Sequence, residues 1–383
     1  MRDIGRLPIG LALSGGGVRA MAFHCGVLRW LAQTGRMEDV AHVSSVSGGT
    51  LSAGLVLALN GWKWPSSEEY LKTIQPQFER VLTTGSLATT AILRLIWPQN
   101  WRFIFSRANL VSQAIEHDWG IEERLSHLPE KPVWSINGTT AETGRRFRFK
   151  QDRCGDYEIG YADAATFKVA DAMAVSAAFP GLIGPLTIKS SDYRWKKRPY
   201  WDAPADTEQE VVLPYKRLHL YDGGIYDNLG LEPLMDPAAQ KFKNDIGYII
   251  CSDAGAPLGR IGLPILGVRR VKRLLDIVME QARALRIRAL ATFLERNPML
   301  GAYAQIGADP NERLHRYESL HPSRALQLLQ KKWLRKAEIA AAASYGTTLN
   351  RLQPAWFQLL EMHGYESVKW NEVYFGGRYL EHA

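Results

Sequence analysis

Three short stretches of the chain carry residues whose types and spacing could do chemistry together. In the first, "LALSGGGVRA" at residues 11–20, an apolar run ends in Gly15, Gly16 and Gly17. Each ordered glycine costs roughly 0.5–1 kcal/mol relative to alanine, so a triplet implies that something approaches that backbone closely. Successive N–H groups with a helix N-terminus behind them suit an anion or oxyanion. Gly15, Gly17 and Ala20 also fit the dinucleotide pattern G-x-G-x-x-A, and a tight strand-to-helix turn without a ligand would use the same residues.

The second stretch, "SVSGG" at residues 45–49, sets Ser47 between small residues. A nucleophile elbow needs this, because its turn is too sharp for bulk two places before or after the serine. Ser45 stands where that pattern usually has glycine. The third, "YDGGIYDNLG" at residues 221–230, delivers Asp222 at the end of a strand, with Gly223 and Gly224 turning the chain away. A nucleophilic serine needs a base for its proton and donors for the developing oxyanion. Asp222 is the candidate base, Gly15, Gly16 and Gly17 are the candidate donors, and Asp227 and Asn228 fix the turn. Taken alone, the D-G-G string would be an ordinary surface turn.

The elements that must position these groups follow a regular order. An apolar strand precedes the glycines, and "MAFHCGVLRWLAQTG" reads as a helix ending at Thr34 and Gly35. "VAHVSSVSGGTLSAGLVLALNG" repeats the order of strand, turn and helix, which is the grammar of a parallel α/β sheet. "KPVWSINGTTAETGRRFRF" reads as two strands around a turn, "ADAMAVSAAFPGLI" as a small-residue helix stopped by Pro180, and "IGYIICSDAG" as a buried strand. Residues 86–110, rich in Leu, Ile, Trp and Phe and broken by Pro98, read either as core helices around a kink or as a lid that seeks a surface. Residues 268–296 read as one basic amphipathic helix bearing Arg269, Arg270, Lys272 and Arg273. It either packs its apolar face on the protein or also lies on anionic lipid. Residues 324–362 read as mostly helical, packed on the sheet rather than forming a separate unit.

Composition narrows the function classes. The 383 residues are 46% hydrophobic and 22% charged, with no low-complexity tract, as expected of a folded chain able to bury a core. No apolar run approaches the roughly 18 residues of a spanning helix, and "MRDIGRLPIG" lacks the apolar region of an export signal. The expected location is the cytoplasm, with a peripheral place at a membrane surface as the open alternative. Cys25, Cys154 and Cys251 are scattered and show no metal-ligand or disulfide spacing. The net charge of +8 favours anionic partners. No nucleic-acid-binding signature accompanies it, so nucleic acid is not expected, whereas phospholipid head groups remain.

Together the three stretches resemble the patatin-like phospholipase family. The resemblance rests on Gly15, Gly16, Gly17 and Arg19, then Ser47, then Asp222, Gly223 and Gly224 in family order, with "AMAVSAAFPGLI" preceding the aspartate; it covers about residues 8–255. It implies an α/β fold, a three-layer sandwich with a mainly parallel central sheet, helices on both faces and a helix-rich C-terminal third. Residues 1–383 would then form one domain, with its core at 8–255 and a helical part at 256–383. The implied activity is lipid acyl hydrolysis by a Ser47–Asp222 dyad with a glycine oxyanion hole, without metal, cofactor or catalytic histidine. Arg19 and Gly48 would support the loop or meet the substrate, a phospholipid or other acyl lipid. Competing readings are a Ser–Asp–His triad using His315, His321, His363 or His382, a nucleotide-binding oxidoreductase, and a lipid-binding regulatory protein of the same fold.

Overall fold

The computed structural model describes residues 6–181, 183–200, 203–259, 267–313 and 332–375. Its centre is a twelve-stranded sheet. β1 (Ile9–Leu13) lies between β2 (Val40–Ser45) and β13 (Tyr248–Asp253). β3 (Val133–Thr140) and β14 (Gly301–Gln305) continue it on either side, and these five strands are parallel. Beyond β3 the sheet turns antiparallel through β4 (Arg146–Phe149), β5 (Arg153–Asp156), β6 (Gly160–Asp163), β8 (Trp195–Lys197) and β9 (Gln209–Val211). The C-terminal third therefore supplies a strand, β14, as well as the helices expected of it.

Every residue of β1 is buried, because the parallel strands are covered on both faces. Alternate residues prove the layering: Leu11, Leu13, Tyr248 and Ile250 enter one core, while Ala12, Ile249, Cys251 and Tyr303 enter the other. The first core holds the helix residues of α1 (Gly17–Gln33) and α2 (Gly48–Leu59). The second holds Leu290, Phe293 and Leu294 near the end of a long helix, Val268–Arg296. A last helix, Pro354–Tyr374, lies against α1 so closely that a Cβ on Gly26 would strike the Glu361 carbonyl and one on Gly364 the Phe23 carbonyl. Arg29 adds a bidentate ion pair to Glu361 across the same contact.

Residues 86–110 form short helices, Leu87–Leu93, Arg94–Ile96 and Pro98–Phe103, before the longer helix Ala108–Trp119. Of the two readings of this apolar stretch, the structure supports the exposed one in its middle: Ile96 is 71% exposed, Trp97 57%, Trp101 60% and Phe105 91%. Its ends do pack, through Leu87, Ala91 and Leu110. The helix Val268–Arg296 divides similarly. Its apolar Val271, Leu274 and Val278 are exposed instead of packed, and only its later turns enter the core. No described helix is long and apolar enough to cross a membrane.

Candidate active site

Strand register brings the serine and the aspartate to one height. β2 ends at Ser45, opposite Ile136 of β3, and two residues further along β3 Gly138 faces Asp222 of β10 (Arg217–Asp222). Since β4 occupies the other edge of β3 over Ile136–Thr139, β10 must take up the edge that β2 leaves. Asp222 was expected at the carboxyl end of a strand in a parallel sheet. It does end its strand, but β10 is antiparallel to β3, so the acid meets the serine from the opposite direction.

Ser47 sits at the turn between β2 and α2 with φ 49° and ψ −119°, a left-handed conformation that costs of order 1–3 kcal/mol in a non-glycine residue. A buried polar network holds it there. The Ser47 N–H donates to Ser176 Oγ at 3.0 Å, and Ser176 Oγ donates to the Asn137 carbonyl at 2.7 Å and lies 2.8 Å from Thr50 Oγ1. Ser45, the departure from the usual glycine, is used by the same network: Trp134 Nε1 donates to its Oγ at 2.8 Å, and Thr50 Oγ1 lies 2.9 Å away. Nothing in the types or spacing of Ser176, Asn137 and Thr50 marks them for this role in the sequence.

Asp222 is buried. The Gly224 N–H donates to its Oδ1 at 2.6 Å, Thr139 Oγ1 donates to its backbone carbonyl at 2.8 Å, and the Ser47 side chain lies close enough to act on its carboxyl group. Burial raises its pKa from 3.8 to about 7, with the Gly224 hydrogen bond and the Ser47 side chain opposing the rise. The carboxyl group is thereby poised in the range where a base can both accept and return a proton.

The glycine triplet is required first of all by protein atoms. A Cβ on Gly15 would strike Asn228 Oδ1 and stand 3.1 Å from Ser47 Cβ, and one on Gly17, at φ 61°, would strike the Thr348 carbonyl. These contacts leave the dinucleotide reading without its physical basis, since the close approach that the glycines permit is made by the chain itself. They also narrow the donor set. The Gly15 N–H donates to the Asn228 carbonyl at 3.1 Å, so this member of the expected trio is already engaged. The Gly16 and Gly17 N–H groups have no backbone acceptor among the described residues and lie at the positive end of α1, on the cleft wall. Gly48 fits against Gly17, whose carbonyl a Cβ there would strike.

Arg19 is buried and donates from Nε to the Ala254 carbonyl at 3.1 Å and from Nη1 to the Tyr345 carbonyl. It ties the glycine turn to the segments after β13 and before Thr348, the loop-support arrangement. Burial lowers its pKa to about 10, opposed by the nearby Asp253 carboxylate. Asp227 accepts from the N–H groups of Leu229 and Glu232, both at 3.1 Å, which fixes the turn as expected. His24 lies behind the triplet, bonded to Ser252 Oγ at 2.7 Å and to the Ser14 carbonyl at 2.9 Å.

Ser47, Asp222 and Gly15–Gly17 line one cleft of about 910 Å³. Part of its lining is apolar, from Ala91, Ile92, Leu95, Leu110, Val111 and Leu349; another part, from the helix Val268–Arg296, is ionic, with Lys272, Arg273, Asp276 and Glu280. No described histidine lines it. Of the triad candidates, His363 is buried and accepts from the Gly307 N–H at 2.8 Å, away from the cleft; His315, His321 and His382 lie outside the described residues. All three cysteines are free and buried. Among the described residues, no cluster of acidic, histidine or cysteine side chains could hold a metal ion.

Comparison with known proteins gives one family and several distant likenesses. The family model "Patatin-like phospholipase" matches residues 11–235, more than half of the chain and all three stretches. No curated protein matches. Among solved structures, human GIVD cytosolic phospholipase A2 is similar at 12% identity and a TM-score of 0.49, covering 100% of this chain and 64% of its own. The same human enzyme in complex with methyl gamma-linolenyl fluorophosphonate gives 13% and 0.49, over 100% and 60%. VipD from Legionella pneumophila gives 15% and 0.37, over 94% and 67%. The chain thus spans less than two thirds of the length of the human enzyme chains.

Proposed function

The chain belongs to the patatin-like phospholipase family, and from that premise we propose that it hydrolyses fatty-acyl esters of phospholipids or related lipids with Ser47 as nucleophile and Asp222 as its base. The observation that carries this reading is that Ser47, on its strained turn, and a buried Asp222 whose pKa stands near 7 line the same cleft, one wall of which is apolar. Ser47 Oγ attacks the acyl carbonyl carbon as its proton passes to Asp222. The N–H groups of Gly16 and Gly17 receive the oxyanion, a contribution of typically about 2.7–4 kcal/mol per donor. Collapse breaks the ester bond, and Asp222 returns the proton to the departing alcohol. Water then adds to the acyl-serine, Asp222 takes its proton, and the fatty acid leaves as Ser47 recovers its hydroxyl. No histidine is needed, because one buried carboxyl group both takes and gives the proton.

The two walls suit an amphipathic substrate, with the acyl chain along Ile92, Leu95 and Val111 and the head group toward Lys272 and Arg273. The exposed Trp97, Trp101 and Phe105 follow the apolar wall in sequence, and the exposed Val271 and Leu274 lie on the helix that supplies the ionic one. Both segments border the cleft, so the protein meets its substrate at a lipid surface with the mouth facing the bilayer. A lipid panel incubated with the protein and with Ser47→Ala, its products read by mass spectrometry, tests the reading. Free fatty acid released by the wild type alone is the expected result; equal release by both proteins would remove Ser47 from the mechanism.

A further inference from the structure

β4 presents a second concentration of charge, outside the cleft. Phe147 and Phe149 point into the core, so Arg146 and Arg148 share the opposite face, and Lys150 follows at the strand's end. The chain after the Asp222 turn, residues 226–243, packs over this face. It brings one more cation, Lys243, and one facing carboxylate, Glu232.

These cations are poorly matched. Arg146 is only 6% exposed, yet its Nε has no hydrogen-bond partner, its Nη1 reaches Asn137 Oδ1 at 3.4 Å and its Nη2 stands 3.9 Å from Glu232. Arg148 has a buried Nε with no partner, and its guanidinium lies 5.7 Å from the Tyr161 ring. Lys150 makes no ion pair among the described residues, and Lys243 donates only to the Glu232 backbone carbonyl, at 2.8 Å. Nearby acids are engaged elsewhere: Asp227 by two backbone N–H groups and Arg286, Asp152 by Arg153. Burial, reinforced by the neighbouring arginines, depresses Arg146 to about 10 and lowers Lys150. Buried charges in proteins are ordinarily paired and hydrogen-bonded.

We propose that the charged face of β4 binds a phosphate-bearing anion, held by Arg148 and Lys150 beside the buried Arg146. Two guanidinium groups and an ammonium group follow one another along that face, and a tetrahedral oxyanion of more than one negative charge can satisfy several such donors at once. The anion supplies the charge that the fold omits; it reaches the part-exposed Arg148 and Lys150, while the Nε groups of both arginines stay enclosed by protein. None of the three residues lines the catalytic cleft, so the site is separate from the one at which substrate is proposed to react. It is coupled to it by a short path: Arg146 pairs with Thr139 across β4 and β3, and Thr139 Oγ1 holds the Asp222 carbonyl.

The test uses the full chain and inorganic phosphate at constant ionic strength, with chloride as the balancing salt. Calorimetric binding and melting temperature are followed for the wild type, Arg148→Gln/Lys150→Gln, and the cleft variant Lys272→Gln/Arg273→Gln. Arg146 is left in place because its burial makes loss of folding the expected consequence of replacing it. A saturable rise in melting temperature is expected in the wild type and the cleft variant, with binding at least about tenfold weaker in Arg148→Gln/Lys150→Gln. Phosphatidylcholine vesicles with and without a phosphoinositide, scored on the same proteins, distinguish a lipid head group from the free ion as the source. If neither phosphate nor phosphoinositide vesicles bind, or if only the cleft variant loses binding, the proposal is overturned.

Discussion

At the floor of the cleft Ser47 is 9% exposed and Asp222 3%, whereas along its border Phe105 is 91% exposed and Ile96 71%. The floor is fixed from every side. Ser47 is held by Ser176, Gly15 is closed in by Asn228, Gly17 is closed in by Thr348, and Asp222 is clamped by Gly224 and Thr139. The border has the reverse character, apolar side chains exposed among the described residues. A folded chain seldom keeps so contiguous an apolar surface without a partner for it. Rigidity at one level serves the placing of a nucleophile and a base. Exposure at the other serves contact with the phase in which an acyl lipid resides.

The comparison can be broken most severely at the floor. Ser47→Ala should abolish turnover and labelling by a serine-reactive fluorophosphonate, with the far-ultraviolet circular dichroism unchanged. Gly48→Ala should follow: its Cβ would press on the Gly17 carbonyl, and overpacking of this kind typically costs about 1–3 kcal/mol. Melting temperature and turnover should fall together there, whereas normal activity at an unchanged melting temperature would show that Gly17 and Gly48 are not in contact. Gly16→Ala belongs with it, because φ 147° and the Ala254 carbonyl 3.0 Å from the added Cβ act on stability as well as on the N–H donor.

At the border the effects should be smaller and of another kind. Trp97→Ser/Trp101→Ser should weaken binding to lipid vesicles about tenfold or more, as expected for losing large apolar side chains from a buried contact, and leave hydrolysis of a soluble ester intact. Lys272→Gln/Arg273→Gln should cost about 1 kcal/mol per charge on anionic vesicles, a loss that added salt erases. Equal losses on vesicles and on soluble ester, for either pair, would show that border and floor are one device.

The sequence made the floor legible for a geometric reason. A strained serine turn, a glycine triplet and an aspartate before two glycines are positions where few residue types fit, so residue identity alone is informative. What lay beyond it were contacts between distant segments: Ser176 lies in the small-residue block and Asn228 in the aspartate stretch, but nothing in either shows that the one holds Ser47 and the other meets Gly15, and Thr348 carries no mark at all. Gly15 was read as a donor to the substrate because a lone triplet does not reveal that Asn228 accepts its N–H. The direction of β10 was equally hidden, since a strand's own residues do not state which neighbour it joins. Residues 86–110 stayed ambiguous because an apolar run has the same composition in a core as on a surface.

Asp222 also makes a smaller prediction about stability. Its folded pKa, about 7, exceeds the ordinary value of 3.8, so between these values the folded chain holds a proton that the unfolded chain has released. This group's contribution to stability is therefore greatest at low pH and declines as pH rises toward 7. Asp222→Asn should remove that decline, so the difference in melting temperature between variant and wild type should grow from pH 5 to pH 8 in the variant's favour. A difference independent of pH would place the carboxyl group's pKa near its ordinary value.

The base itself is tested most directly by the pH–rate profile of Asp222→Asn against the wild type on a soluble ester, where lipid binding plays no part. The wild-type rate should climb about tenfold per pH unit below the Asp222 pKa and level off above it, and the variant should lie at least about 10²-fold below that plateau and show no such rise while remaining folded. A variant that keeps wild-type rates, or that keeps the same rise through pH 7, would show that some other group takes the proton from Ser47.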